Sequence, residues 1–307
     1  MPPTKICNLD VPAFVMIDAT TPNPALDDAH GAFPNAPRHQ NIAEASAHLL
    51  GQLQAHPETE SVMLIGHGKP GSIGTGSGAE INATATHIGT DNKGAWRDRL
   101  KALNGHQLKE IIFCSCNTGA NHGAQLVFDV AKATGAKTFA RTGLITILPN
   151  GDLICQPGEW QIGDPIQTKH PRELNPSFAE LSDNGVDFEL MHEGKSIKVP
   201  PAAVSSVSYY KHFARGQRKH ICSLHGEDTQ NLLGLVKLAE PFELRGEPLA
   251  IITGELELEY PAGGAGARKK FTVYNDLLLR DQTHPKTFYH TSPHFRHALA
   301  DQVTLNP

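Results

Sequence analysis

The chain of 307 residues lacks the features that mark several specialised classes of protein. It contains no apolar run of the roughly 18–20 residues that a membrane-spanning helix needs. Its 27 Lys and Arg residues are outnumbered by 32 Asp and Glu residues, without a long basic run, so nucleic acid is not an expected partner. Only 19% of residues are charged while 39% are apolar, which argues against disorder as the dominant state.

The sequence predicts neither a disulfide framework nor a secretory leader. The five cysteines are an odd number at uneven positions, which is not the pattern of a disulfide-rich secreted domain. They are Cys7, Cys114, Cys116, Cys155 and Cys222. The apolar stretch Val11–Ile17 is too short for a good signal-peptide core. We therefore expect a cytoplasmic protein with free thiols, in which Cys7, Cys155 and Cys222 are structural.

Alternating strands and helices are predicted from residue 11 to residue 141. Short continuous apolar runs indicate buried strands of a mostly parallel sheet with helices on both faces, an α/β fold. The predicted strands are Ala13–Ile17, Val62–Ile65, Ile111–Cys114 and Lys137–Arg141. We expect a loop over Thr20–Gln40 and three later helices, the last ending at Gly135. A hairpin over 144–155 then closes this region.

The pattern changes beyond a Pro-rich stretch. Strand-like segments of the antiparallel kind follow, as where Glu255, Glu257 and Glu259 alternate with apolar residues. We predict a first domain over 1–160, a linker over 161–180 and a β-rich domain over 181–307, sandwich or barrel-like. The alternative is that the later strands extend and cap the first sheet.

Chemistry is expected at the carboxyl ends of the parallel strands, where reacting groups collect in open α/β sheets. Four residues stand at those ends: Asp18, His67, Cys116 and Arg141. An imidazole beside a thiol can take its proton and make a nucleophile, so His67 and Cys116 form a candidate base–nucleophile pair. The backbone amides of Gly68 and Cys116 are candidates for the two donors that an oxyanion needs.

These motifs resemble those of caspase-like cysteine peptidases, a group that includes caspases, metacaspases, separases and bacterial CHAT-type domains. The resemblance rests on His67-Gly68 after one strand and Ser115–Gly119 after the next, with Cys116 placed 49 positions after His67. It covers about residues 11–160. It implies a cysteine endopeptidase without a cofactor or metal, which cleaves a protein or peptide substrate. Whether the protein also cleaves its own chain is left open by the sequence. Stretches 157–182 and 261–268 are the expected exposed cut sites.

The sequence departs from the family at the position two residues before the nucleophile. Caspases have Gln there and metacaspases have Asp, whereas this chain has Cys114. In the family the end of the first strand helps to line the substrate pocket. Asp18 at that position would favour a basic residue before the cleaved bond, while Arg141 would favour an acidic one. We prefer Asp18, for which a loop-capping role is the alternative.

The main alternative to a peptidase is a non-catalytic binding module that keeps the caspase-like fold. In either case the β-rich domain is expected to recruit a substrate or a regulatory protein. Cys114 inside an apolar strand is most simply a core residue, and Cys114-x-Cys116 alone is a weak metal signal. Gly66–Gly71 fits G-x-G-x-x-G, the motif of dinucleotide-binding sites. Such a site needs a helix directly after the motif, and the Gly-rich segment that follows does not predict one. His290, His294 and His297 fit a solvated helix face better than a metal site.

Overall fold

The structure, a computed structural model, describes most of the first half of the chain and separate segments of the second. The described residues are 5–20, 23–76, 85–148, 150–156, 158–174, 188–192, 195–199, 204–212, 218–225, 229, 242–244, 247–250, 252–260, 267–274 and 278–290. The chain separates into two compact units. Unit 1 comprises 1–177 with 245–251, and unit 2 comprises 178–244 with 252–307.

The described elements are four helices and twenty-three strands, so both kinds of regular structure predicted from the sequence are present. The helices are α1 (Pro24–Ala32), α2 (Ile42–Ala55), α3 (Lys93–Lys101) and α4 (Gly123–Thr134). The strands of unit 1 are β1 (Lys5–Ile6), β2 (Leu9–Asp10), β3 (Phe14–Asp18), β4 (Arg38–His39), β5 (Ser61–Ile65), β6 (Gly68–Lys69), β7 (Ser72–Gly74), β8 (His87–Gly89), β9 (Glu110–Cys114), β10 (Lys137–Arg141), β11 (Ile145–Ile147), β12 (Leu153–Cys155), β13 (Trp160–Gly163) and β19 (Glu247–Pro248). Those of unit 2 are β14 (Phe188–His192), β15 (Lys195–Val199), β16 (Ser206–His212), β17 (Arg218–His225), β18 (Phe242–Glu243), β20 (Ile252–Tyr260), β21 (Ala267–Tyr274), β22 (Leu278–Asp281) and β23 (Thr287–His290).

Unit 1 is built on a six-stranded sheet in the order β13-β10-β9-β5-β3-β4. The pairs among β4, β3, β5, β9 and β10 are parallel, and only β13 is antiparallel to its neighbour. The predicted α/β class and the mostly parallel sheet are therefore confirmed. The four predicted strands are its four central strands, because their continuous apolar runs suit strands that are covered on both faces.

One face of this sheet carries the main apolar core. Met16, Leu64 and Phe113, one from each of three strands, pack there with the buried sides of α2, α3 and α4. Side chains alternate between the faces of a strand, so Cys114 lies on the opposite face from Phe113. Cys114 is fully buried, as expected of a core residue.

A helix occupies part of the segment that the sequence analysis predicted as a loop over Thr20–Gln40. Helix α1 begins after Asn23, whose side-chain Oδ1 accepts a hydrogen bond from the Leu26 amide, and Pro24 takes the first helical position. An Asn cap followed by Pro is a standard helix start. The loop prediction was wrong there because an Asn cap with Pro at the first helical position begins a helix within this polar, Pro-containing segment.

Two small sheets extend unit 1 beyond the main one. Strands β6, β7 and β8 form an antiparallel sheet directly after β5. The predicted hairpin is present as β11 and β12, and β19 adds to it on the other side of β11. Residues 245–251 thus belong to unit 1, although the predicted β-rich domain spans 181–307, and β13 carries the first sheet past the predicted boundary at 160.

Unit 2 contains a seven-stranded antiparallel sheet in the order β17-β16-β20-β21-β22-β23-β18, together with the β14–β15 hairpin. Leu256 and Leu258 of β20 are buried while the glutamates that alternate with them are only half-buried, as the alternation predicted. Within the described segments the two end strands, β17 and β18, do not pair with each other, so these strands do not close a barrel. The stretch 261–266 and residues 291–307 lie outside the described residues, and with them His294 and His297.

Cys7 and Cys155 form a disulfide bond that joins the N-terminal segment to β12, with a Cα–Cα distance of 5.6 Å. The expectation of five free thiols was therefore wrong for this pair, and Cys114, Cys116 and Cys222 are the free cysteines. Disulfides are rare in reducing compartments, so the cytoplasmic location stays a prediction without support from this bond. Among the described residues no helix is both long and apolar enough to cross a membrane.

Candidate active site

His67 and Cys116 lie at the same edge of the main sheet. Strands β5 and β9 are parallel neighbours, with Ile65 opposite Cys114 in their register. Each candidate residue follows its strand by two positions, so the topology brings the two turns side by side, as predicted from the sequence. Both residues are buried.

Two backbone amides from these turns converge on one carbonyl oxygen. The N–H of Gly68 and the N–H of Cys116 donate to the oxygen of Leu249, at N–O distances of 3.1 and 3.2 Å. These are the two donors that the sequence analysis named for an oxyanion hole. Donors at about 2.7–3.1 Å from a developing oxyanion are the usual arrangement in acyl-transfer enzymes.

The backbone around Cys116 is shaped to present its amide. Asn117 has a φ of +55°, a left-handed conformation in which Asn is several-fold enriched. Its own N–H donates to the Gly143 carbonyl at 3.1 Å, and that of Gly119 donates to the Arg141 carbonyl at 2.8 Å. The turn after β9 is therefore anchored to the turn after β10.

Gly68 has no space for a side chain. A Cβ added there would fall inside van der Waals distance of the Cys116 carbonyl oxygen, the Thr118 hydroxyl and Ser115 Cβ. The backbones of the two turns touch at this point, and only glycine allows it. The His-Gly order thus follows from the close approach needed to aim both amides at one oxygen.

A buried hydroxyl network joins the turn after β9 to the small sheet. Ser115 Oγ and Thr118 Oγ1 are 2.6 Å apart, and Thr118 Oγ1 donates to the Ser72 carbonyl at 2.9 Å. The Gly71 amide donates to the Thr118 carbonyl at 3.1 Å. These contacts explain why a Ser and a Thr flank the thiol, a role that the sequence alone did not reveal.

The Cys116 thiol lies among backbone groups of β11 and Leu249. The Ile145 amide donates to Sγ at 3.3 Å, and Sγ donates to the Ile145 carbonyl at the same distance. Burial raises the pKa of Cys116 to about 12, while backbone hydrogen bonds with Ile145 and Leu249 oppose this rise. With the site filled in this way, the cysteine is a thiol at neutral pH.

His67 is held by a residue that the sequence analysis missed. The side-chain nitrogen of Asn23 contacts His67 Nε2, while Asn23 Oδ1 caps α1. Burial lowers the pKa of His67 to about 4, so the ring is neutral at pH 7. Nδ1 has no partner with hydrogen-bonding geometry among the described residues, although the Leu249 backbone is near enough to oppose the fall in pKa. The Asn-Pro helix start was the sequence signal for Asn23.

Asp18 and Arg141 are also buried at strand ends, and both interact with their own surroundings. Asp18 Oδ1 accepts hydrogen bonds from the Thr20 amide at 2.8 Å and the Thr20 hydroxyl at 2.6 Å, the loop-capping arrangement. Arg141 Nη2 donates to the Gln156 carbonyl at 2.9 Å, and its guanidinium lies 5.7 Å from the centre of the Trp160 ring. In the described parts of the chain, neither side chain forms a hydrogen bond with Leu249.

The other possible binding features lie elsewhere or are absent from the described residues. In that part of the chain no group of three His, Cys, Asp or Glu residues is arranged to hold a metal ion. A cavity of about 500 Å³ is lined by residues 11–15 and 32–36, at the start of β3. That is the opposite end of the strand from Asp18, so this cavity is not part of the candidate site.

A model of a protein family described as a domain of unknown function (DUF4347) matches residues 38–163. Neither the curated proteins nor the solved structures contain a match. The matched segment runs from β4 to β13 and includes His67, Gly68, Cys116 and Arg141, but it leaves out Asn23 and Leu249. The chain is thus similar, over five of the six strands of its main sheet, to a family whose function is not defined.

Proposed function

We propose that this protein is a cysteine endopeptidase of the caspase-like type, with Cys116 as nucleophile and His67 as general base. The observation that carries the proposal is the convergence of the Gly68 and Cys116 amides on a single peptide carbonyl oxygen. That oxygen belongs to an extended segment, because Glu247 and Pro248 pair with β11 just before Leu249. Two backbone donors on one peptide carbonyl oxygen, one of them the amide of Cys116 itself, support the proposal of an oxyanion hole.

In the proposed reaction the thiolate of Cys116 attacks the substrate carbonyl carbon, and the carbonyl oxygen becomes an oxyanion between the two amides. His67 takes the thiol proton and gives it to the amine that leaves when the C–N bond breaks. The product is a thioester on Cys116. Water then hydrolyses it to a carboxylic acid, with His67 again accepting and returning the proton.

Asn23 has a positioning role in this scheme. Because its Oδ1 is committed to the cap of α1, its Nδ2 faces His67 Nε2 and donates to it. The neutral ring then carries its hydrogen on Nδ1. Accepting the thiol proton at Nδ1 requires the other tautomer, in which Asn23 turns its oxygen toward Nε2. The observed arrangement is a resting state in which both members of the pair are uncharged.

A second function, a binding module without catalysis, is favoured by the burial of both groups. Cys116 and His67 are covered in the described structure, and the shift of both pKa values favours the uncharged forms. A protein of that kind would hold an extended peptide strand against β11 and the two amides without cutting it. The two functions differ in whether the Cys116 thiol reacts, because only the peptidase needs a reactive thiol.

The test uses the full chain with two matched variants, Cys116→Ala and Cys114→Ala. The purified proteins are incubated with an alkylating probe and with a mixed peptide library, and labelling and hydrolysis are read by mass spectrometry. We expect Cys116→Ala to lower hydrolysis at least a thousandfold and Cys114→Ala to keep it within about threefold of wild type. Labelling of Cys114 with Cys116 untouched would overturn the assignment, and a folded wild type that neither reacts nor cleaves would favour the binding module.

The remaining parts of the proposal concern partners and location. The substrate is a protein or peptide and no cofactor takes part. The cytoplasmic location is kept as the prediction made from the sequence, which the Cys7–Cys155 disulfide does not support. The seven-stranded sheet of unit 2 is proposed to recruit the substrate or a regulatory protein. Strong capture of a polyanion is not proposed, because the charges over 181–307 nearly balance, with 14 Lys and Arg against 15 Asp and Glu.

A further inference from the structure

The candidate site is filled by a segment of the same chain. Residues 247–250 lie in unit 1, between β11 on one side and the turn after β5 on the other. Thr146 pairs with Pro248 and Ile147 with Glu247 in an antiparallel register, and the Leu249 amide donates to the Ile145 carbonyl at 3.0 Å. The segment is held as a peptide substrate would be, by a run of backbone hydrogen bonds.

Beyond the polarised carbonyl, the segment continues past the site. Ala250 forms a parallel bridge with Gly68, so backbone contacts hold the chain on both sides of the Leu249–Ala250 peptide bond. Leu249 and Ala250 are 0% and 1% exposed. Such burial of a short loop segment is unusual for a chain connection, which normally runs over the surface.

From this arrangement we infer that the Leu249–Ala250 bond is a substrate of this protein's own site, and that the site accepts an apolar residue before the cut. The inference rests on the proposed peptidase function and specifies its substrate. It differs from the cut sites expected from the sequence, which were 157–182 and 261–268. It also replaces the preference for a basic or acidic residue that was based on Asp18 and Arg141.

The reaction balances with water as the only other reactant. Cys116 Sγ bonds to the Leu249 carbonyl carbon, and the thiol proton passes through His67 to the nitrogen of Ala250 as the Leu249–Ala250 bond breaks. The thioester then reacts with water, which restores the thiol and leaves a carboxylate on Leu249. The products are residues 1–249 and a fragment that begins with a free amine on Ala250.

The two products remain together without denaturant. Strand β16 precedes the cut and pairs with β20, which follows it, and β18 pairs in the same way with β23. Both pairings belong to the seven-stranded sheet of unit 2. Cleavage therefore has to be detected under denaturing conditions, since the fragments co-purify as one particle.

The test follows the intact mass of the full chain over time in denaturant, with N-terminal sequencing of any new fragment. Wild type is compared with Cys116→Ala, and Leu249→Met is paired with Leu249→Arg. A peptide of residues 245–252 is added separately to each protein, which keeps the test informative if Leu249→Arg does not fold. We expect a Cys116-dependent cut between Leu249 and Ala250, in the chain and in the peptide. We also expect Leu249→Arg to slow self-cleavage at least tenfold relative to Leu249→Met.

The outcomes separate this inference from the proposed function. A wild type that labels at Cys116 and hydrolyses library peptides, yet stays intact or is cut elsewhere, overturns the inference and leaves the peptidase function standing. If such an intact protein becomes more active when Leu249 is changed to Arg, the segment is an uncut inhibitor and self-cleavage is refuted. A folded protein with no labelling and no hydrolysis overturns both proposals.

Discussion

Two sets of buried titratable groups, one in each unit, differ in whether a charged partner is present. In unit 2, Lys269 and Asp281 are both almost fully buried and form an ion pair at 2.6 Å. That ammonium group, with two backbone amides, lowers the pKa of Asp281 against the effect of burial. In unit 1, burial raises the pKa of Asp18 to about 7 and lowers that of His67 to about 4. No charged side chain contributes to either shift.

The presence of a charged partner distinguishes buried groups with a structural role from buried groups that can react. A buried ion pair with satisfied hydrogen bonds leaves no reactive group, because each charge is fixed by the other. Buried groups whose charged forms lack such a partner are instead held in their neutral forms, and they respond when a substrate or a proton changes their surroundings. Clusters of this second kind are concentrated at functional sites. The edge of the main sheet in unit 1 carries such a cluster.

Replacing Gly68 by alanine is the strongest test of whether the edge of the main sheet in unit 1 carries out chemistry. The new Cβ would collide with the Cys116 carbonyl oxygen, a backbone atom that cannot turn away, so the two donor amides must separate. Loss of one oxyanion donor costs about 10²–10³ in rate, and we expect at least a hundredfold fall in peptide hydrolysis.

The matched control is Gly51→Ala in α2, where an added Cβ meets no atom within 4 Å. This variant removes a helical glycine and is expected to keep its activity with unfolding free energy unchanged or raised by up to about 1 kcal/mol. Equal hydrolysis rates for the two variants would show that the Gly68 amide does not serve the reaction.

A large effect on stability alone is expected in unit 2. Replacing Lys269 by methionine leaves the Asp281 carboxylate buried without its cation, which typically costs about 3–5 kcal/mol in unfolding free energy. Denaturant unfolding of the full chain measures this loss in the transition of unit 2. Adding Asp281→Leu to the same chain should recover part of it, because the unpaired charge is then removed. If Lys269→Met is as stable as wild type, the Lys269–Asp281 pair does not stabilise unit 2.

Sequence reasoning could find the parts of the site that follow from local pattern. His67, Gly68 and Cys116 could be named because apolar runs mark the strands and the residues after them stand at the strand ends. Leu249 could not, since it lies 133 residues after Cys116 and reaches the site through β19, a two-residue strand without any periodicity. Cys7 and Cys155 were misjudged for the same reason, as 148 residues separate them.

The pH dependence of stability tests whether Asp18 is held in its neutral form in the folded protein. This is the smallest of the expected effects. Burial raises the pKa of Asp18 from its ordinary value of 3.8 to about 7 in the folded protein, which therefore binds this proton more tightly than the unfolded chain does. The stability that it contributes is present below about pH 4 and is lost as pH rises to about 7. In Asp18→Asn the amide oxygen can keep both hydrogen bonds from Thr20 without a titrating group.

We therefore expect wild type and Asp18→Asn to be most alike near pH 4, and the variant to be the more stable protein at pH 8. One pKa unit corresponds to about 1.4 kcal/mol, so a gain of about 1–3 kcal/mol is reasonable for a shift of this size. His39 and His67, whose lowered pKa values give the opposite slope over the same range, are present in both proteins and cancel in the difference. Asp98→Asn, the same substitution at an exposed position of α3, is the control for the chemical change alone. A difference between wild type and Asp18→Asn that stays constant from pH 4 to pH 8 would mean that Asp18 is ionised throughout, and that the buried edge of the main sheet tolerates a charge as readily as the paired site of unit 2 does.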